Sequence, residues 1–411
     1  MRAVILSIGT ELVTGLRLDT HSRDVARALV AIGIDVVRHV TVDDVRRDVE
    51  EAFRAACGEA DVVVATGGLG PTLDDCTREA LAAVMGVPLE EDAGARSHLQ
   101  RWARARGRTL SSSNLRQVLL PRGARTIPNP VGTALGIDAS AGKARVFCMP
   151  GVPAEMARML SEEVLPALRA ASGGRVTLVR TVRTHGMPES IVGERLADLM
   201  APARRPHVGT AVHGGMIDIH IYATGPRDEV GRLLEADAAD VRRRLGDVVY
   251  GEGDECLETA VARLLADRRA TLALAESCTG GLVAAKLVNV PGISAHLLEG
   301  VVCYADESKV RTAGVPEGLI QAHGAVSEPV ARAMAEGIRA RNRAAVGLGV
   351  TGIAGPGGGT PEKPVGLAWF AVADRAGTAA AREIFAGDRA LVRERAANYA
   401  LNMLRLRLMK E

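Results

Sequence analysis

A serine stands where an apolar run stops. In Ala275-Glu-Ser-Cys-Thr-Gly-Gly281 the preceding residues from Ala270 are short and β-compatible, and Leu282 to Val290 carries helical spacing. The stretch reads as strand, tight turn and helix. Such a turn presents Ser277 at a sheet edge, close to the N–H groups of a helix start that can hold negative charge on an oxygen, as attack on a carbonyl requires. The competing reading is that Ser277 or Thr279 caps the helix. A nucleophilic serine also needs a base. His296 and His323 lie outside the distinctive loops, whereas Lys309, in the turn Asp306-Glu-Ser-Lys after an apolar strand (Glu299 to Ala305) carrying Tyr304, is of a type that serves when desolvated or beside a second cation. Thr351-Gly-Ile-Ala-Gly-Pro-Gly-Gly-Gly-Thr360 follows another apolar strand, and its glycines suit wrapping a phosphate. Arg389 opens the last helix with a fork that matches phosphate. Ser277, Tyr304, Lys309, Thr351 and Arg389 all fall at strand ends or helix starts, so one pocket can hold them.

A second group of loops lies in the first 170 residues. The strand Asp61 to Ala65 empties into Thr66-Gly-Gly-Leu-Gly-Pro-Thr-Leu-Asp-Asp75; Ala3 to Ile8 leads into Gly9-Thr-Glu-Leu12 and Asp19-Thr-His-Ser22; Val146 to Met149 leads into Pro150-Gly-Val-Pro153. Strands alternating with helices imply a mainly parallel sheet covered on both faces, with ligands beyond the carboxyl ends of the strands. The three loops should therefore face one crevice. Gly67, Gly68 and Gly70 let backbone N–H groups approach an anion. Asp74 and Asp75 would repel that anion unless a divalent cation sat between them. The alternative is that either aspartate caps the next helix and the glycines serve the turn.

Composition bounds the rest. A chain of 411 residues, 47% hydrophobic, is long enough for two or three cores. Basic and acidic residues number 51 and 49 and aromatics are 2%, which gives neither a global field for nucleic acid nor many stacking platforms. Six scattered cysteines without a Cys-x-x-Cys pair suit reduced thiols, and no membrane-length apolar run occurs. A soluble cytoplasmic protein is expected. From Ser172-Gly-Gly174 the composition changes, and the next 80 or so residues read β-α-β-β-α-β, a small KH-like module. It lacks the Gly-x-x-Gly loop that clamps RNA. A connecting or dimer-forming role is expected, with Arg204-Arg205 and Arg242 to Arg244 as solvated faces, and with His185, His207, His213 and His220 too dispersed for a metal site.

These motifs carry a resemblance. The 66–79 stretch, Gly9-Thr-Glu-Leu12, Asn129-Pro-Val-Gly-Thr133 and Pro150-Gly-Val-Pro-Ala-Glu-Met156 resemble the N-terminal domain of the competence/damage-inducible protein A (CinA) family, which shares the molybdopterin-binding fold. His21 and Leu135 depart from that pattern, standing where asparagine and proline are common. Glu276-Ser-Cys-Thr-Gly-Gly281, Val302-Cys-Tyr-Ala-Asp-Glu-Ser-Lys309, Thr351-Gly-Ile-Ala-Gly-Pro356, Lys363-Pro-Val-Gly366 and Gly387-Asp-Arg-Ala-Leu-Val-Arg393 resemble its C-terminal domain, also known alone as nicotinamide mononucleotide deamidase. The resemblance implies an α/β chain in three parts: a three-layer αβα molybdopterin-binding-like domain (1–170), an α+β KH-like linking module (171–253) and an α/β deamidase domain (254–411). It implies nucleophilic and supporting roles for Ser277, Lys309, Tyr304 and Thr351, acting without a cofactor, and substrate contacts at Arg389, Gly280, Gly281, Gly352 and Gly355. For the N-terminal domain it implies hydrolysis of ADP-ribose with a divalent metal at Asp74 and Asp75, and substrate contacts at Gly67, Gly68, Gly70, Thr72, Glu11, Asn129 and Gly132. The implied assembly is a homodimer, with no membrane or nucleic-acid partner. The rival reading is a non-catalytic nucleotide- or molybdopterin-binding protein accessory to competence or recombination.

Overall fold

The computed structural model describes residues 1–107, 109–171 and 173–410; Ser172, where the change of composition begins, and Glu411 lie outside the described residues. The chain packs as two compact units, Met1–Leu178 with Ala223–Arg232, and Val179–Tyr222 with Leu233–Glu411. The division runs through the strands of the KH-like module.

In the first unit a six-stranded sheet has the order Asp35–Val42, Arg2–Ile8, Val62–Thr66, Ala144–Met149, Gly136–Ala141, Arg125–Ile127. The first four strands are parallel and the last two antiparallel. Val62 to Thr66 is buried at every position, as a central strand covered on both faces must be. One face packs on the helices Arg46–Glu59 and Thr77–Met85 through Phe53, Ala56 and Leu81; the other packs on His21–Ala31 and Pro153–Met159 through Leu29 and Met156. This is the expected three-layer arrangement.

The middle module has the expected element order. Its sheet runs His207–His213, Met216–Gly225, Val176–His185, Val249–Glu252, with the helices Glu189–Arg195 and Arg227–Leu245. Its first helix ends at Arg195, and its last strand starts at Val249 after a 3₁₀ turn at Gly246 to Val248.

The C-terminal sheet has the order Leu297–Val302, Leu272–Glu276, Val346–Gly352, Leu367–Asp374, Gly377–Ile384. Its first three strands are parallel and its last two antiparallel. Helix Glu328–Asn342 lies so close on one face that a Cβ at Gly347 would come 2.1 Å from the Ala335 carbonyl oxygen. Helices Leu257–Asp267 and Arg389–Met409 cover the other face. The last helix is buried on two sides. Val392, Ala396, Ala400 and Leu404 join the core, while Asn398 donates to Gly214 O (3.0 Å) and Arg405, 2% exposed, donates to Val249 O (3.2 Å) and Asp247 O. These polar ties join the helix to the KH-like module, whose Tyr250 and Met216 also pack on the same apolar cluster.

His185, at the end of a strand in that module, is buried, and the loss of water pushes its imidazole down from an ordinary 6.5 to about 4, helped by the charge of Arg405. The folded value lies below the unfolded one, so the stability contributed by neutral His185 is complete above about pH 6.5 and is lost as pH falls towards 4. The expected loss is roughly 3 kcal/mol. Denaturant midpoints at pH 7 and pH 4.5 check it: His185→Gln should flatten the difference seen in the wild type, and equal pH slopes would refute the assignment.

Candidate functional site

The parallel register fixes the surroundings of Ser277. Glu276 pairs with Val302 on one side and Val350 on the other, Ser277 N–H donates to Val350 O (2.9 Å) and Cys303 N–H donates to Glu276 O (2.7 Å). Ser277 therefore emerges between Cys303 and Thr351 at one end of the sheet. Its strand lies between two others, so Ser277 is not at a sheet edge as expected but is buried, 7% exposed, beneath the loops that follow all three strands. The turn after it is made by Gly280 and Gly281 with φ of +62° and +87°, values that favour glycine.

The helix start does not offer its amides to a substrate. The buried carboxylate of Glu276 accepts from Val283 N–H (3.1 Å) and Ala284 N–H (2.8 Å), and Gly280 N–H donates to Ser277 O (3.0 Å). Gly280 N–H is thus engaged within the loop, and the side chain that caps the helix amides is Glu276, five residues before Gly281 at the N-cap position, rather than Ser277 or Thr279. Arg393 holds the same loop by donating to Thr279 O (2.9 Å). Neither Glu276 nor Arg393 drew a role from the sequence, although both lie inside distinctive motifs. Cys278 adjoins the serine, but burial pushes its thiol up to about 12, which keeps it protonated and a poor nucleophile near neutrality.

Tyr304 follows its strand instead of lying in it, and Lys309 sits in helix Asp306–Ala313 rather than in a turn, because the run from Asp306 continues as a regular helix after extended Ala305. Lys309 is 2% exposed, and its Nζ donates to Tyr304 O (3.1 Å) and Asp306 Oδ1 (3.3 Å). Arg389 Nη2 bonds the Tyr304 hydroxyl (2.6 Å) and its Nη1 donates to Gly355 O (2.6 Å), so one guanidinium joins the loops after two strands. Thr351 is fully buried near the end of its strand, and its hydroxyl donates to Ala325 O (2.8 Å), tying that strand to the loop before helix Glu328–Asn342. Gly352 is demanded by packing: a Cβ there would lie 2.7 Å from Leu367 O and 2.9 Å from Cys278 Sγ.

In the N-terminal unit the three loops line a cavity of about 380 Å³ that includes Glu11, Asp44, Gly68, Asp74, Asp75 and Glu155. A neighbouring one of about 240 Å³ shares Ile8, Glu11, Gly67 and Gly151 with it and adds Asp19 and His21. The glycine loop is built from within. Thr77 Oγ1 donates to Gly67 O (2.9 Å), and the buried guanidinium of Arg78 donates to Leu69 O and Gly70 O, both at 2.7 Å. A Cβ at Gly67 would meet Ile8 O at 2.1 Å and one at Gly68 would meet Thr77 Oγ1 at 2.2 Å, so packing alone requires these two glycines, while a Cβ at Gly70 would displace the Asp75 carboxylate.

Asp74 and Asp75 differ in kind. The Asp75 carboxylate accepts from Gly70 N–H (2.7 Å), Thr72 N–H (2.8 Å) and Thr72 Oγ1 (2.6 Å), which makes it the staple of the loop, while Asp74 is exposed. Asp44, which drew no role from the sequence, accepts from Thr10 N–H (2.9 Å); burial, and then the charges of Glu11 and Asp74, raise its carboxyl above the ordinary value. Asn129 is buried and shapes its own loop, accepting from Val131 and Gly132 N–H and donating to Glu155 (2.6 Å). Among the described residues no three His, Cys, Asp or Glu side chains converge as metal ligands. Asp44 and Asp74 offer carboxylate oxygens of the kind a hard cation of the magnesium type would take, one or two at a time, with water and phosphate oxygens completing its shell.

Three family models match the chain in succession: the probable molybdopterin binding domain over residues 4–170, the damage-inducible protein CinA KH domain over 179–251 and the CinA C-terminal domain over 254–408. A relative in Symbiobacterium thermophilum named for competence-damage inducibility is 45% identical across 100% of this chain and 99% of its own. The chain belongs to the CinA family. CinA-like proteins of Anaeromyxobacter sp. (strain Fw109-5) and Geobacter sulfurreducens are 44% and 43% identical, over 98% of both chains and 100% of both chains respectively. The CinA fold in this chain thus combines a molybdopterin-binding-like layer structure, a KH module and a C-terminal α/β domain, and among the described residues no helix is long and apolar enough to cross a membrane.

Proposed function

We propose that the C-terminal domain hydrolyses the carboxamide of nicotinamide mononucleotide to nicotinate mononucleotide and ammonia, and that the N-terminal domain hydrolyses ADP-ribose with a divalent cation. The observation that carries the first reading is the gathering of Ser277, the Lys309–Tyr304 pair and Arg389 around the same end of one sheet. In this mechanism Ser277 Oγ bonds to the amide carbon, its proton passes through Lys309 or Tyr304 to the leaving nitrogen, and the carbon–nitrogen bond breaks to release ammonia. Water then cleaves the acyl-serine and restores the hydroxyl. Thr351 acts as a positioning residue, since its hydroxyl holds Ala325. The second reading rests on the acidic rim of the crevice: Glu11, Asp44 and Asp74 would exclude a pyrophosphate unless a cation intervened, and that cation would supply charge neutralisation and an activated water.

Purified protein incubated with nicotinamide mononucleotide should release ammonia stoichiometrically with nicotinate mononucleotide. Folded protein that released none would end the first reading. Arg389 is expected to bind the 5′-phosphate while bracing Tyr304 and Gly355. Arg389→Ala should raise KM for the mononucleotide roughly 10- to 100-fold, the range of a lost charge-assisted contact. Nicotinamide riboside, which lacks the phosphate, should show a smaller change; equal changes for both would remove Arg389 from the phosphate site.

A further inference from the structure

The second unit holds a cavity of about 610 Å³, within the size range of small-molecule sites, that is not lined by Ser277, Lys309 or Tyr304. It opens between the strand end at His185 to Pro188, the edge strand that runs into Phe385, and the face of the last helix that bears Arg395, Tyr399 and Met403. Phe385 and Tyr399 form its aromatic wall, edge to face with centroids 6.1 Å apart, and Met187 and Met403 add apolar, adaptable surface. Two buried nitrogen atoms of the lining residues lack a partner. His185 is 6% exposed and its Nδ1 makes no hydrogen bond, and the buried Nε of Arg395 makes none although its Nη1 donates to Ala386 O (2.7 Å). Buried polar atoms in folded proteins are nearly always satisfied, so an orphaned imidazole and an orphaned guanidinium nitrogen in one cavity point to a missing acceptor. Lys410 adds a second cation at the mouth and Glu383 a single exposed carboxylate, while Arg407 is already bonded to Asp374.

We propose that this cavity binds a small planar aromatic anion, its ring against Phe385 and Tyr399 and its carboxylate on Arg395 and His185. The aromatic, methionine-bearing wall selects the ring and the two unsatisfied nitrogens select the charge; neither feature alone explains the lining. The site is separate from the proposed deamidase chemistry and does not depend on it.

Benzoate is the probe, with benzyl alcohol supplying the ring without the charge and acetate the charge without the ring. Titration of the full chain, followed by ligand-observed NMR, should show saturable binding of benzoate and at least tenfold weaker binding of the other two. Arg395→Met, which keeps the apolar stem, should weaken benzoate at least tenfold, and Ser277→Ala should leave it unchanged. If Arg395→Met fails to fold, Lys410→Met at the rim should give a smaller loss in the same direction. Absence of saturable binding, equal binding of benzoate and benzyl alcohol, or loss of binding in Ser277→Ala would overturn the proposal.

Discussion

Ser277→Ala should reduce ammonia release from nicotinamide mononucleotide by roughly 10³-fold or more, the scale on which loss of a nucleophile acts in serine hydrolases. Binding of the mononucleotide should remain measurable, because the hydroxyl forms the covalent bond and contributes little to ground-state affinity. The surroundings make the test clean. Ser277 N–H, not its hydroxyl, supplies the recorded bond to Val350 O, and the helix cap is provided by Glu276, so removing the oxygen leaves the loop's ties in place. Cys278→Ala serves as the contrast: its protonated thiol is packed in the core, and its loss should affect stability before chemistry. Turnover near the wild-type rate in Ser277→Ala would move the nucleophile elsewhere.

The second large effect is expected in the N-terminal crevice. Asp74→Asn combined with Asp75→Asn should abolish metal-dependent hydrolysis of ADP-ribose while ammonia release stays near wild type, since a neutral amide is a poorer ligand for a hard cation. The two substitutions should act differently when separated. Asp74→Asn removes an exposed charge from the rim, and its effect should shrink at high metal concentration; Asp75→Asn weakens the three bonds that hold Gly70 and Thr72, and added metal should not rescue it. Asp44→Asn should resemble the first. A chelator should reproduce the split between the two reactions. Loss of ammonia release on chelation, with the fold intact by circular dichroism, would show that the two sites are coupled or shared.

Local pattern made much of this molecule readable. Continuous apolar runs such as Val62 to Ala65 announced buried parallel strands, and the glycine-bearing loops after them marked the sheet ends where the crevice lies. The antiparallel strands Arg125–Ile127 and Gly136–Ala141 are not legible in this way, because the first has only three residues and the second offers Ile137 and two alanines as its only apolar side chains. The long-range ties were equally hidden. Nothing in the spacing of Glu276 and Ala284 says that a carboxylate will occupy the helix amides, and nothing joins Asp44 to Glu11 and Asp74 until the strands are laid side by side. Asp74 and Asp75 look equivalent on paper. Only the turn geometry makes one a staple and the other a rim charge.

The way the last helix meets the KH module bears on how such a chain can be cut and joined. Asn398 and Arg405 grip main-chain carbonyls of Gly214, Val249 and Asp247, and Asn402 is held by Arg405 in turn. These are groups that water can satisfy as well as a protein can. Freed from the module, the helix would present amides and a guanidinium that water can satisfy, and it would also uncover the apolar surface on which Met216 and Tyr250 pack. A C-terminal domain cut from its neighbour therefore gains an apolar patch along this seam that another surface must cover.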